Sequence, residues 1–322
     1  MAFQWTRRVL LALAPAALLA LAACSSGTIE SQFKPTRIVA LGDGLTDQGN
    51  TGKRWTVNDT NRMWPQIVAA SYDANMTVAP STSGGTNYAY GNSRIVLKPD
   101  AAGNAATPTL ADQITTYLAA NGGSVPAGDL VMINGGTADV IVQMQAMRAG
   151  TITQDQFMVN VVQAGHDLAT QAKRLAAAGG THIVIVGVPD MKNTPWATAI
   201  DQVSLLSTAS TNFNNAVLVD LVDQGDKMLF TDIALLWNLM AANPATYSLT
   251  DAITPVCTSV DPGPGIGIGP GQVSSPMCTS STTAAASGST YLSYMWADAV
   301  YPTPSVQSRI ADYVFTRVHS RW

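Results

Sequence analysis

The sequence predicts an α/β protein in which a parallel sheet is covered by helices on both faces, a three-layer α/β/α arrangement. Three observations predict it. Short apolar runs of strand length alternate with longer segments of helical spacing from Thr36 to Val318. Two of those runs, Arg37–Leu41 and Asp129–Ile133, end in glycine-containing turns, Gly42-Asp43-Gly44 and Asn134-Gly135-Gly136, as strands do when they deliver loops to one end of a sheet. Of the 322 residues, 47% are hydrophobic and 12% charged, so a large core is within reach and disorder is not expected.

Residues 1–23 stand apart from that pattern. Arg7 and Arg8 precede an apolar stretch, Val9–Ala20, and small residues follow, as in an export signal. Leu21-Ala22-Ala23-Cys24 is similar to a bacterial lipobox, in which Cys24 becomes the lipidated first residue; cleavage at an Ala-x-Ala site, as in an ordinary secreted protein, is the alternative. Thr6–Leu10 faintly resembles a twin-arginine signal. Ser25, rather than an aspartate, follows the cysteine, which favours the outer membrane over inner-membrane retention. The chain is therefore read as a lipoprotein signal peptide (1–23), a polar tether (24–35) and one domain (36–322). No later apolar run reaches membrane-spanning length. Removing Arg7 and Arg8 with the signal takes the net charge from −4 to −6, which argues against nucleic acid and leaves the membrane as the expected partner through Cys24.

Within the domain, Arg37–Leu41 is the first strand. Met63–Tyr72 has helical spacing, with Trp64, Ile67 and Val68 on one face, and Met76–Ala79 reads as a short second strand. Thr109–Leu118 is amphipathic, and Asp129–Ile133 is a buried strand. Gln154–Ala178 is a long helix stopped by Gly179-Gly180, and Thr181–Gly187 is the fourth strand. Val203–Asp223 is helical, Lys227–Thr231 is the fifth strand, and Asp232–Met240 and Pro304–Val318 are helices. A flavodoxin-like order, 2-1-3-4-5, with right-handed crossovers is expected. Cys257 and Cys278 flank a Gly-, Pro- and Ser-rich insert and, in an exported chain, are expected to form a disulfide. The insert itself reads as a low-complexity surface loop without a core.

Five segments, in order, resemble the blocks of the GDSL (SGNH) esterase and lipase family. They are Gly42-Asp43-Gly44-Leu45, the run Gly85–Asn92 with Gly85, Asn87, Ala89 and Gly91 in place, Gly136-Thr137-Ala138-Asp139, the stretch Val188-Pro189-Asp190 with Thr194-Pro195, and Asp298-Ala299-Val300-Tyr301-Pro302-Thr303. Asn243–Tyr247 is similar to a segment of secreted and outer-membrane members. The resemblance implies an SGNH-hydrolase-like fold and acyl-ester hydrolysis. That reaction takes a serine nucleophile, a histidine base, an aspartate that orients it, and an oxyanion hole of two backbone N–H groups and an asparagine amide. No cofactor or metal is expected.

Carried onto this chain, the serine position is Gly44, the asparagine position Ala138 and the histidine position Tyr301. Asp298 is retained, Gly91 (or else Gly85) takes the glycine position, and Asp43 and Asp139 still match as loop organisers. No Gly-x-Ser-x-Gly elbow replaces the missing serine, and His166, His182 and His319 fall in a helix, at a strand start and at the chain end. Three readings follow. The first is an inactive envelope lipoprotein, a pseudoenzyme that binds or supports, with the N–H groups of Gly44 and Gly91 free for a small acyl, carboxylate or glycan ligand in a pocket enlarged by the missing hydroxyl. The second is an active ester hydrolase (an esterase, lipase or deacetylase) in which Asp43 or Asp298 activates water and Tyr301 is the acid. The third is a sugar-binding module with Trp55, Trp64 and Trp296 as stacking faces, although the preferred reading of these three is as core aromatics.

Overall fold

The computed structural model describes residues 33–285 and 290–322; the signal peptide, Cys24 and most of the tether lie outside them. Its elements, in chain order, are β1 (Arg37–Leu41), α1 (Trp64–Tyr72), α2 (Leu110–Ala120), β2 (Asp129–Asn134), α3 (Thr137–Arg148), α4 (Gln154–Ala177), β3 (Ile183–Val186), α5 (Pro195–Ala199), α6 (Val203–Asp220), β4 (Met228–Thr231), α7 (Ile233–Ala242), β5 (Asp251–Pro255), β6 (Val260–Asp261), β7 (Gln272–Val273), β8 (Tyr294–Trp296) and α8 (Pro304–His319). None of the described helices is long and apolar enough to cross a membrane.

β1, β2, β3 and β4 form one parallel sheet in that order. Successive side chains of a strand point to opposite faces, and both faces here are apolar. Val39, Leu41, Val131, Ile133, Ile183 and Ile185 face α2, α3, α4 and α6 through Ile114, Met144, Leu168 and Phe213. Ile38, Ala40, Leu130, Met132, Val184 and Val186 face α1, α7 and α8 through Trp64, Trp237 and Ile310. Burial on both faces is why the strands read as unbroken apolar runs. A forked ion pair pins the amino end: Arg37 donates from Nε (2.8 Å) and Nη2 (2.6 Å) to the Asp129 carboxylate opposite it in the register, and the Tyr117 hydroxyl adds a third bond.

Four sequence expectations need correction. Met76–Ala79 is not a strand. The chain beside β1 is the segment around Asn87, which makes single bridges to Ala40 and Pro80, so the five-strand order 2-1-3-4-5 gives way to four strands and a bridged edge. Pro80 and the Gly84-Gly85 turn shorten that edge to a few hydrogen bonds, Tyr88 N–H to Ala40 O (2.7 Å) among them. Second, Asp139, expected to organise a loop, lies in the first turn of helix α3, which begins directly after Gly136.

Third, the packed domain begins before residue 36: Phe33 stacks on His182 with ring centroids 3.5 Å apart. Fourth, the insert is more than a surface loop. The Cys257–Cys278 disulfide forms, with Cα atoms 5.7 Å apart, and its sulfurs sit in a small core with Val57, Val256 and Ala297. Beyond the β6–β7 pair, Ile266 and Ile268 are buried in the main core, and Gly265 O accepts from Asn92 Nδ2 (2.8 Å). Glycines around those two isoleucines let the backbone lie flat against Ala101, whose atoms a Cβ at Gly267 would strike.

Two stability predictions follow. Reducing the disulfide, which spans 21 residues, should cost about 3 kcal/mol, read as a lower Tm in thermal denaturation with and without reductant. Ile266→Ala should cost about 2–5 kcal/mol by chemical denaturation, as core truncations do, whereas a surface-loop isoleucine would cost almost nothing.

Candidate functional site

The loops after β1, β2 and β8 meet beyond the carboxyl end of the sheet, where ligands sit in such folds. The first is held by side chains from its neighbours. Gln113 of α2 clamps Gly42, accepting from its N–H (2.8 Å) and donating to its carbonyl (2.9 Å). Asn134, at the end of β2, donates to Asp43 Oδ1 (2.7 Å), and Leu45 N–H donates to the same oxygen (3.0 Å). A side chain at Gly42 would collide with Asn134. Burial pushes the Asp43 carboxyl above its ordinary range, against the pull of those donors.

Gly44 therefore sits where the resemblance puts it, but no space is left above it. A Cβ there would lie 2.7 Å from Cγ and Cδ1 of Trp55 and 2.8 Å from Cε1 of Tyr301, closer than carbon atoms approach. The two rings meet edge to face, centroids 6.5 Å apart. The same indole covers Gly91, where a Cβ would overlap its six-membered ring. Gly91 N–H is already used, donating to Asp47 Oδ2 (2.8 Å), while Asp47 Oδ1 accepts from the N–H groups of Gly49 and Asn50. Burial still pushes Asp47 up to about 6. Gly85, the other candidate for the glycine position, packs on the backbone of Ala79 instead. The enlarged pocket and the free Gly91 donor are thus corrected: aromatic carbon fills the one and a carboxylate occupies the other.

Ala138 lies buried in the first turn of α3. That turn is entered through Gly136, whose φ of +113° only glycine adopts readily. Asp139, one residue on, accepts from Arg94 Nε (3.0 Å) and Ile95 N–H (3.0 Å), so it fixes the loop after Gly91. Burial raises its pKa, and Arg94 opposes the rise.

Asp298 keeps its place but orients no histidine. Its Oδ1 accepts from the N–H groups of Val300 (2.8 Å) and Tyr301 (2.7 Å), and Oδ2 from Ser275 N–H in the insert (2.9 Å). Burial raises this carboxyl too. Tyr301 is 2% exposed, and its hydroxyl has no partner among the described residues. Burial, followed by the charge of Asp43, pushes it well above 10. Asp43 and Asp298 are 1% and 0% exposed.

The histidines are engaged elsewhere. His166 Nδ1 pairs with Asp220 (2.9 Å) between α4 and α6, His182 stacks on Phe33, and His319 stacks on Phe315. Trp64 and Trp296 are wholly buried core residues, their indole N–H groups donating to Thr46 Oγ1 (3.1 Å) and Ala252 O (3.0 Å). No one of the three tryptophans turns a face to solvent, which corrects the stacking expectation. Trp55 is a plug and not a platform, in keeping with the preferred reading of all three as core aromatics. Its loop is tied down on both sides, by Thr56 Oγ1 to Pro302 O (2.8 Å) and by Asn58 N–H to Cys278 O (2.8 Å).

Packing this tight makes the substitutions interdependent. Gly44→Ser alone should destabilise by about 1–3 kcal/mol through overpacking. In a Trp55→Ala background the same change should cost far less, a coupling that a double-mutant cycle by urea denaturation reads directly. Tyr301→Phe, which deletes a buried hydroxyl without a partner, should leave Tm unchanged or raised.

The model of the GDSL-like Lipase/Acylhydrolase family matches residues 38–314. A curated relative, an uncharacterized protein in the trpE-trpG intergenic region of Pseudomonas putida, is 25% identical over 315 residues. That alignment takes in 88% of this chain and 49% of the relative, so the chain spans about half the length of the curated relative it matches. A family match running from β1 into α8 encloses all three converging loops, and on that extent the chain belongs to the GDSL-like lipase/acylhydrolase family.

Proposed function

We propose that the protein is a catalytically inactive member of its family, a pseudo-esterase that serves as a binding or structural lipoprotein of the bacterial cell envelope. The observation that carries this reading is the occupation of the space above Gly44 by Trp55 and Tyr301. In comparable hydrolases, loss of the nucleophile or the base alone costs on the order of 10⁶ in turnover. Loss of one oxyanion donor costs about 10²–10³. These losses do not add, and the first suffices. Reversing the three substitutions would still leave the substrate's carbonyl no room to approach.

The anchor is part of the same proposal. Lipid on Cys24 holds the chain to the outer membrane, and the described part of the domain begins with Phe33, beside the amino end of the sheet. The linking residues reach at most about 30 Å, with the plugged loops at the other end of the strands.

Hydrolysis of short and medium p-nitrophenyl esters tests the catalytic half. The native protein and a Gly44→Ser, Ala138→Asn, Tyr301→His variant should both run at the buffer rate. Activity should appear only when Trp55→Ala is added to the three. Native turnover well above buffer that survives repurification overturns the reading. For the anchor, the native chain expressed in a bacterium should partition into detergent phase, and Cys24→Ala should move it to the aqueous phase.

A further inference from the structure

A second cleft lies away from the plugged loops, between α3, α4 and the segment after Gly91. It measures about 140 Å³, and its floor is Arg94. That side chain is 6% exposed, yet only its Nε has an acceptor, Asp139 Oδ1. Its two η nitrogens have none among the described residues. A guanidinium carries five N–H donors, and the η nitrogens, which are not among the fully buried atoms without a partner, open onto the cleft. The free edge is the one formed by Nη1 and Nη2, a fork that matches a carboxylate with two parallel bonds. Asp139 cannot turn to fill it, because its other oxygen is held by Ile95 N–H.

The rest of the lining says what kind of carboxylate fits. Asp139 already neutralises Arg94, and Asp167 on α4 adds a second negative charge to the wall. A plain anion therefore meets a net negative cleft. Asp167 keeps an oxygen for a donor, since its bond from Gln163 Nε2 (2.9 Å) uses Oδ1. Gln143 and Asn160, bonded to each other at 2.7 Å, supply amides between the two charged ends. No aromatic ring lines the cleft to stack a sugar, and the volume admits only a few heavy atoms.

We propose that this cleft is a binding site for a small zwitterion of the amino-acid type, with its carboxylate on the η nitrogens of Arg94 and its ammonium on Asp167. The inference stands on the cleft alone and does not rest on the loss of catalysis at the plugged loops.

Isothermal titration of the purified domain against glycine, L-alanine and L-serine, with acetate, methylamine and glucose as controls, tests it. Saturable binding is expected for the amino acids, with acetate and methylamine each weaker by about tenfold or more, the loss of roughly 1.4 kcal/mol. Arg94→Ala endangers the fold because it strands buried Asp139, so the deciding variant is Asp167→Asn, on a partly exposed helix face. It should weaken amino-acid binding by about tenfold while leaving acetate unchanged or improved. Absence of saturable amino-acid binding up to about 10 mM overturns the proposal. So does acetate binding as tightly as glycine, a preference for glucose, or an Asp167→Asn variant that binds glycine as the native protein does.

Discussion

The indole of Trp55 is the piece on which the geometry of the carboxyl end depends. It lies across Gly44 and Gly91 at once, and each glycine is required because the ring leaves no room for a Cβ. Its edge contact with Tyr301 closes the remaining side. Gly44, Gly91, Trp55 and Tyr301 thus form one packed unit. Interiors packed at crystal-like density do not tolerate a change in one member without a change in another. Glycine at residue 44 is more than a missing hydroxyl; it is the small partner of a large ring.

Around that unit, the acidic residues of the site have become scaffolding. Asp43, Asp47, Asp139 and Asp298 are all buried, and each accepts hydrogen bonds from backbone N–H groups of a loop. A carboxylate held this way fixes loop shape whether or not chemistry follows. Asp298 illustrates it: its carboxylate oxygens accept from the N–H groups of Tyr301 and Ser275, joining the last family segment to the disulfide-bonded insert. The supports of these loops lie in the turns themselves rather than in the side chains at positions 44, 138 and 301.

How much of this was legible in the sequence follows from the range of each interaction. The four sheet strands and six of the long helices show in local periodicity, since each buries a continuous face. Met76–Ala79 misled because its apolar residues border Pro80, and the bridge partner of β1 proved to be Asn87, whose neighbours are polar. Helix α3 was hidden under a motif usually read for its loop, with its first turn buried. Ile266 and Ile268 were discounted for their glycine neighbours, yet those glycines are what let the backbone approach the core. The positions of Gly44, Ala138, Tyr301 and Asp298 could be assigned from motif order. The plug could not, because its neighbour Thr56 is tied to Pro302 across 246 residues, and no local pattern announces such a pairing.

That long-range tie also bears on how a family fold outlasts its chemistry. A lone serine-to-glycine change leaves a hollow into which a serine could return at little cost. Here the space is filled, the residue after the filling ring is anchored to Pro302 through the Thr56 hydroxyl, and the loop is anchored further on to Cys278 through Asn58. Contacting residues couple non-additively, so each restored catalytic side chain meets a site adapted to its absence. Packing energy now favours the closed arrangement, and the N–H of Gly91, which a substrate oxyanion would need, is better satisfied by Asp47 than by any transient ligand. The space above Gly44 is closed by packed rings, whereas the usual trade keeps an active site open at some expense of stability.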